Sequence, residues 1–440
     1  MTAPVPVTGV TLPRANLART ALLLLPLQAV FRGGEALMPL FLAAWFGRSD
    51  ETDLYYLLAA YFVFAGAVIT GAFQDSAVVP VLIEVETRNP ARFPAIAGAL
   101  LGHTLAVGGA VAAAMGAIAA LFAFFVAHGT GHRGVALELV AFMSLGIVAA
   151  AIRSFYVGLL NARGQFHAHP IGSGLGTALT FAILYAGRSM GVRVVPVGLL
   201  AGELLAILVL WGLTRSRLRL SIAPTLARPE EVRRIFSLVR LEVAGSLITR
   251  INPVIDQLMA GLAGVVGGGT LLRYAGDVAS LPTSILQATL FPVLLTRLAH
   301  EAPHPAAFHA TTRRTLLAVI ALLAVLSGLF VAFRGPLCTL LFLHGAMDRA
   351  GVGRIASILP WALLGAAPFG ALLVLARAHV AQQNSRIMPG MGVLNSALNA
   401  GFNAAFVGSL GLSGIALSTS LTYVVVAVVF WVRLPRSPRA

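Results

Sequence analysis

The sequence predicts an all-α polytopic membrane protein, about twelve transmembrane helices arranged as two six-helix halves. Three observations carry this. Mean hydropathy is +0.88. Of the 440 residues, 58% are hydrophobic and 11% charged, a balance that excludes a soluble globular domain. Apolar stretches of roughly 18 residues or more recur along the whole chain, and no polar segment between them is long enough to fold alone.

The spans fall near 21–46, 54–82, 95–127, 135–160, 168–187, 194–213, 236–262, 270–296, 314–333, 355–376, 387–408 and 411–432. The first is interrupted by Arg32 and resumes through Trp45. It suits a transmembrane helix better than a cleaved leader, although Arg14 and Arg19 precede its leucine run. A charge at the bilayer centre costs about 2.5–3.5 kcal/mol even on the lenient insertion scale, so Arg32 is expected to face a polar interior. Glu35 lies three residues on, on the same helix face, and either neutralises Arg32 or tunes it. The second span follows a short acidic cluster, Asp50, Glu51 and Asp53. This reads as a metal site or as a solvated loop with Asp53 at a helix N-terminus.

The fourth and sixth spans carry Arg153 and Glu203, which either pair or reach an interface. The polar connection at 214–235 then separates 1–213 from 236–440. The seventh span holds Arg240, Glu242, Arg250 and Asp256, the last two deepest. The eighth has Arg273 and Asp277 at a spacing of four, which permits a salt bridge. Pro39, Pro253, Pro282, Pro292, Pro360 and Pro368 sit within spans. They either kink single helices or bend them around a central cavity. The eleventh span aligns Asn395, Asn399 and Asn403 on one face. Such a row either bonds helix to helix or, with a carboxylate from another helix, offers oxygens to a monovalent cation. Trp45, Trp211 and Trp431 mark helix ends.

All 31 basic residues are arginine, and the net charge is +15. The arginines concentrate in alternate loops and at both termini, which places both termini in the cytoplasm of a protein in the cytoplasmic (inner) membrane. No basic block is interleaved with aromatics, so nucleic acid is not an expected partner. The single Cys338 excludes an intrachain disulfide and a cysteine metal cluster. Enzyme motifs such as HExxH, GxSxG or a phosphate-binding glycine loop do not occur, and His167, His169, His300, His304 and His309 fall in predicted loops. No cofactor is expected. A faint repeat pairs VVPVLIE (78–84) with LFPVLLTR (290–297), and NARGQF (161–166) with LARAHV (375–380). Both offsets are about 213 residues, or six spans, which implies halves related by an axis along the membrane normal.

Four stretches in order carry a family resemblance: FGRSDETDLYYLLAAYF…GAFQDSAVVPVLIE, LLNARGQFHAHP, RYAGDVASLPTSILQATLFPVLLTRLA, and VLARAHVAQQNSRIMPGMGVLNSALNAGFNAAFVGSLGLSGIALSTSL. Together they resemble the MurJ (MviN) lipid II flippases of the MOP exporter superfamily across almost the whole chain. Many members add a terminal helix pair beyond the twelve expected spans, so the resemblance implies that a lipid-tail groove built from that pair would be missing. The resemblance implies an alternating-access flippase for a polyprenyl-pyrophosphate-linked glycan. Helices one, two, seven and eight would line a cavity between the halves, and cavity arginines would grip the pyrophosphate. Its partners would be this lipid-linked oligosaccharide, membrane lipids and cell-wall synthesis proteins.

The carry-over by residue is uneven. Arg32 falls on the family's first cavity arginine and Asp53 on the aspartate of its TD pair. Other family arginines fall on Met38 and near Gly66 and Ala67, and the family's Asp-Arg of helix eight falls on Gly276 and Asp277. The substrate-contacting set is thus Arg32, Glu35, Asp53, Arg250, Arg273 and Asp277, with Arg250 and Arg273 as substitutes from neighbouring turns. A monovalent cation site transfers more completely, onto Asp256, Asn399, Asn403, Thr419 and the Ile415 carbonyl, and implies sodium or proton coupling. The thinned cavity arginines keep two rivals open: a polysaccharide-repeat exporter or drug/cation antiporter of the same superfamily, and a non-transporting membrane scaffold.

Overall fold

A computed structural model of the protein describes residues 33–34, 36–73, 78–126, 132–237, 251–382, 384 and 386–435. Among these residues the fold is helical without strands. In chain order the helices are α1 (Ala36–Phe46), α2 (Asp50–Phe73), α3 (Val79–Arg88), α4 (Phe93–Val126), α5 (Arg133–Ala162), α6 (Ala168–Ala186) and α7 (Val194–Arg217). After an irregular stretch comes α8 (230–237). Then follow α9 (Asn252–Leu262), α10 (Gly268–Glu301), α11 (Pro305–Ala332), α12 (Arg334–Phe342), α13 (Arg349–Leu363), α14 (Ala366–Ala381), α15 (Ile387–Leu410) and α16 (Leu412–Val432).

Five of these helices are long and apolar enough to cross a membrane, and the bent pair α13–α14 makes a sixth. The count of twelve is therefore not reproduced among the described residues. Spans 21–46 and 236–262 lie partly outside them. Helix α10 is 34 residues long, but Arg273 and Asp277 dilute its apolar character. Two expected spans differ in form. Residues 355–376 divide into α13 and α14, which meet at 41°. Pro360 lies inside α13, Gly365 precedes α14, and proline deletes a backbone donor where the axis turns. The 54–82 stretch is shared between α2 and α3.

Between lipid-facing helices the hydrophobic effect contributes little, so close packing of small residues has to substitute for it. Helices α6 and α7 show how. Gly176 faces Gly202 so closely that a Cβ on Gly176 would stand 2.4 Å from the Gly202 carbonyl oxygen. At this crossing the Thr180 hydroxyl lies 3.0 Å from the carbonyls of both Gly176 and Gly198, satisfying a polar group that lipid would leave unpaired. The largest buried cluster runs from α2 and α5 into α10, α12 and α13, with Leu58, Leu139, Tyr274 and Phe342 all 2% exposed or less. Tyr56, Tyr274 and Phe342 form a chain of ring contacts within it. Outward faces carry Leu208, Leu322 and Val325, as lipid contact requires.

The 218–229 stretch is stapled to α4. Thr225 N–H donates to the Gly98 carbonyl at 3.0 Å, and the His103 Nε2 contacts the Ala227 carbonyl at 3.0 Å. Arg92–Glu231 and Arg234–Glu84 pairs hold the start of α8 beside α3. Arg153 on α5 and Glu203 on α7 pair with each other at 2.5 Å, one of the two arrangements open from sequence.

Candidate cation site and transport cavity

Asp256 sits in the middle of α9, a helix started by Asn252 and Pro253, whose fixed φ suits a first turn. Across from it α15 presents Asn399 and Asn403 one turn apart, both 0% exposed. Thr419 projects from α16, which turns back from α15 at Gly411, where φ is +56°. The Asn403 amide donates to the Asp256 carboxylate at 2.8 Å and lies 3.2 Å from Asn399 Oδ1. Asn399 donates to Thr419 Oγ1 at 3.1 Å. The Thr419 hydroxyl lies 3.3 Å from both Asp256 Oδ2 and the Ile415 carbonyl. All five expected residues of the cation set thus converge.

Their chemistry is one-sided. Asp256 is held only by neutral donors, and no ion pair to it occurs among the described residues. The Asn403 side-chain oxygen is buried without a partner. An unpaired buried oxygen beside a carboxylate is costly unless a positive charge joins it. Carboxylate, amide, hydroxyl and carbonyl oxygens form the hard set that alkali cations accept. No cluster of three or more His, Cys, Asp or Glu is present among the described residues, so a multi-carboxylate divalent site has no support there.

This cluster borders a cavity of about 460 Å³. Tyr56 of α2, Asp256 and Gln257 of α9, a face of α10 from Leu272 to Gln287, the α13–α14 bend, and Thr419 to Tyr423 of α16 form its walls. Of the expected lining, spans one, two, seven and eight, the second, seventh and eighth contribute; the described residues of span one do not, and the bend and α16 are added. Arg273 and Asp277 lie on the α10 wall, with Arg273 Nε 3.0 and 3.1 Å from the two carboxylate oxygens.

Asp53 does not line this cavity. It accepts from the backbone N–H and the hydroxyl of Thr270, each at 2.8 Å, and so caps α10 from α2. Gln257 fixes the same turn from below by donating to the Gly269 carbonyl at 3.1 Å. Arg32, Glu35 and Arg250 lie outside the described residues, so the convergence of Arg32 and Arg250 on Arg273 is not described.

Sequence reasoning passed over one polar contact altogether. Arg48, at the α1–α2 corner, grips Asp348 with Nε and Nη2 at 2.9 and 3.0 Å and reaches the Val266 carbonyl with Nη1 at 3.3 Å. Asp348 also caps α13 through Gly351 N–H. Ala346 N–H donates to the Ala44 carbonyl at 2.7 Å. With Asp53–Thr270, these contacts join the α1–α2, α9–α10 and α12–α13 corners. No local pattern marks a pair 300 residues apart.

This bundle, with polar residues buried at mid-helix around a chamber, shares its fold with solved transporters of the MOP superfamily. Its solved relatives bear this out. A structure described as lipid II flippase MurJ in an inward closed conformation matches with a TM-score of 0.73 at 16% identity, covering 93% of this chain and 87% of that one. An inward-facing multidrug resistance MATE family transporter matches at 0.71 and 14% identity, covering 92% and 93%. A MOP superfamily transporter from Pyrococcus furiosus, whose description notes a binding pocket of reverse polarity, matches at 0.63 and 13%, covering 92% of both. No curated protein matches. The family model for lipid II flippase MurJ matches residues 42–439, and the chain belongs to that family.

Proposed function

We propose that this protein is an ion-coupled, alternating-access flippase. It moves a polyprenyl-pyrophosphate-linked glycan precursor, lipid II or a similar lipid, across the cytoplasmic membrane. One observation carries the reading: a single cavity is bordered both by the oxygen cluster around Asp256 and by the Arg273–Asp277 pair. Cation entry beside Asp256 neutralises a carboxylate that shares the chamber with the cargo, so ion and cargo occupancy are electrostatically linked. One charge crossing a potential of 100 mV releases about 2.3 kcal/mol, enough to bias the cycle. Arg273 contributes guanidinium donors to the pyrophosphate, as do Arg32 and Arg250 in this reading. The halves are 1–213 and 236–440, with the 214–235 linker and both termini cytoplasmic.

Purified protein in liposomes with a fluorescent lipid-linked sugar tests this. The labelled lipid is expected to cross faster with a sodium or proton gradient than without. Failure to move it under either condition overturns the proposal.

A second reading is a drug/cation antiporter, favoured by the two carboxylates that face one guanidinium on the described cavity wall. Arg32→Ala separates the two, because it abolishes pyrophosphate-lipid binding but spares an organic cation.

A further inference from the structure

We propose that Asp277 is a positioning residue. It tethers the Arg273 guanidinium through Nε, so that the terminal Nη1/Nη2 fork stays open to the cavity for a phosphate of the cargo. This rests on the flippase reading above and assigns the anion-holding group on the α10 wall.

A guanidinium has five N–H donors, one on Nε and four on the terminal pair. Asp277 stands within 3.0 and 3.1 Å of Nε. No hydrogen bond from either terminal nitrogen of Arg273 occurs among the described residues. The side chain is nevertheless 49% exposed, although it springs from a helix whose neighbouring Tyr274 is fully buried. The exposure is to the cavity, since Arg273 is part of its lining. Arg273 uses Nε and, among the described residues, makes no bond with the end-on pair, whose spacing matches two oxygens of a phosphate.

The neighbouring hydroxyls on the wall do not compete for that role. Ser280 donates to the Asp277 carbonyl, and Thr283 and Ser284 donate to the Ser280 carbonyl, so their protons are committed to the helix. A competing counter-ion would take at least one terminal nitrogen, as Asp348 takes Nη2 of Arg48. Asp277 is held to the Nε side by its spacing of four on the same helix. The tether also restricts the rotamers of a long side chain before the cargo arrives, which is how preorganisation raises affinity.

Full-length protein in nanodiscs, titrated with farnesyl pyrophosphate and separately with farnesol, tests the assignment. Asp277→Asn keeps an oxygen acceptor for Nε and removes a negative charge, so pyrophosphate binding should be as tight as wild type or tighter. Asp277→Ala frees the guanidinium and should weaken it about tenfold, as should Arg273→Lys, which has no fork. Farnesol binding should be unchanged throughout, which separates lost positioning from lost folding. Asp277→Ala binding as tightly as wild type overturns the proposal and makes the carboxylate a simple counter-ion. If wild type binds an organic cation but not the pyrophosphate, the flippase reading fails and this proposal fails with it.

Discussion

Asp256 has a negative charge supported only by amide and hydroxyl donors, so each of those donors carries weight. Removing one from a charged acceptor typically costs about 1.5–3 kcal/mol. Asn403→Ala should lower stability in detergent by about that amount, read by thermal unfolding. Sodium or lithium should raise the unfolding temperature of wild type, because a ligand that binds only the folded state stabilises it. Asp256→Asn should abolish that rise while leaving the fold intact. An equal shift in wild type and variant would remove the cation site. Asp53 makes the contrasting case. Its two bonds to Thr270 are a helix cap between α2 and α10. Asp53→Ala should cost about 0.5–2 kcal/mol of stability and leave pyrophosphate affinity unchanged. A selective loss of affinity would return Asp53 to the substrate contacts.

The close helix pairs are specified by residues that contribute nothing but absence. On α7 a Cβ at Gly202 would stand 2.2 Å from the Thr180 hydroxyl and 2.5 Å from the Gly176 carbonyl, and a backbone carbonyl cannot swing aside. Gly202→Leu should therefore prevent recovery of folded protein, whereas Gly212→Ala on the same helix meets nothing within 4 Å and should be tolerated. Yield after size-exclusion chromatography distinguishes the two. The α13–α14 bend was legible only as Pro360 and Pro368. That a bend also forms part of the cavity wall follows from where α10 and α16 lie against it.

Across the whole molecule, the Arg48–Asp348 clasp ties the α1–α2 corner to two corners far along the chain. Arg48, together with Gly351 N–H, holds the Asp348 carboxyl down to about 2 from an ordinary 3.8. A depressed carboxylate stabilises the folded contact at pH above its ordinary value and loses that contribution as pH falls toward its folded value. The clasp should thus be level in strength from neutral pH to about 4 and weaken between about 4 and 2. Asp348→Asn should weaken it at every pH. Thiol labelling of Met347→Cys, a position buried beside the clasp, reports its loosening, since the native Cys338 is fully buried. Equal labelling of Met347→Cys with and without Asp348→Asn would show that the clasp does not hold these corners together. Gly345→Ala should loosen the same corners, because Gly345 has φ +59° and its Cβ would stand 2.1 Å from the Ala44 carbonyl oxygen.

Hydropathy and charge spacing within single segments determined that this chain is a helical membrane protein, and the residues of its longer motifs determined its family. Both are local properties: an apolar run must satisfy its backbone internally, and a motif is read where it stands. The oxygen set around Asp256 was named from family resemblance, since the Asn399–Asn403 row by itself favoured helix-to-helix bonding. Tertiary structure decided which polar residues meet. It joined α9, α15 and α16 around one carboxylate, gave Asp53 to a helix end, and paired Arg48 with Asp348. Buried charges in a low-dielectric interior are settled by whichever partners the packing brings within hydrogen-bond reach, and that reach is a distance in space which separation along the chain does not encode.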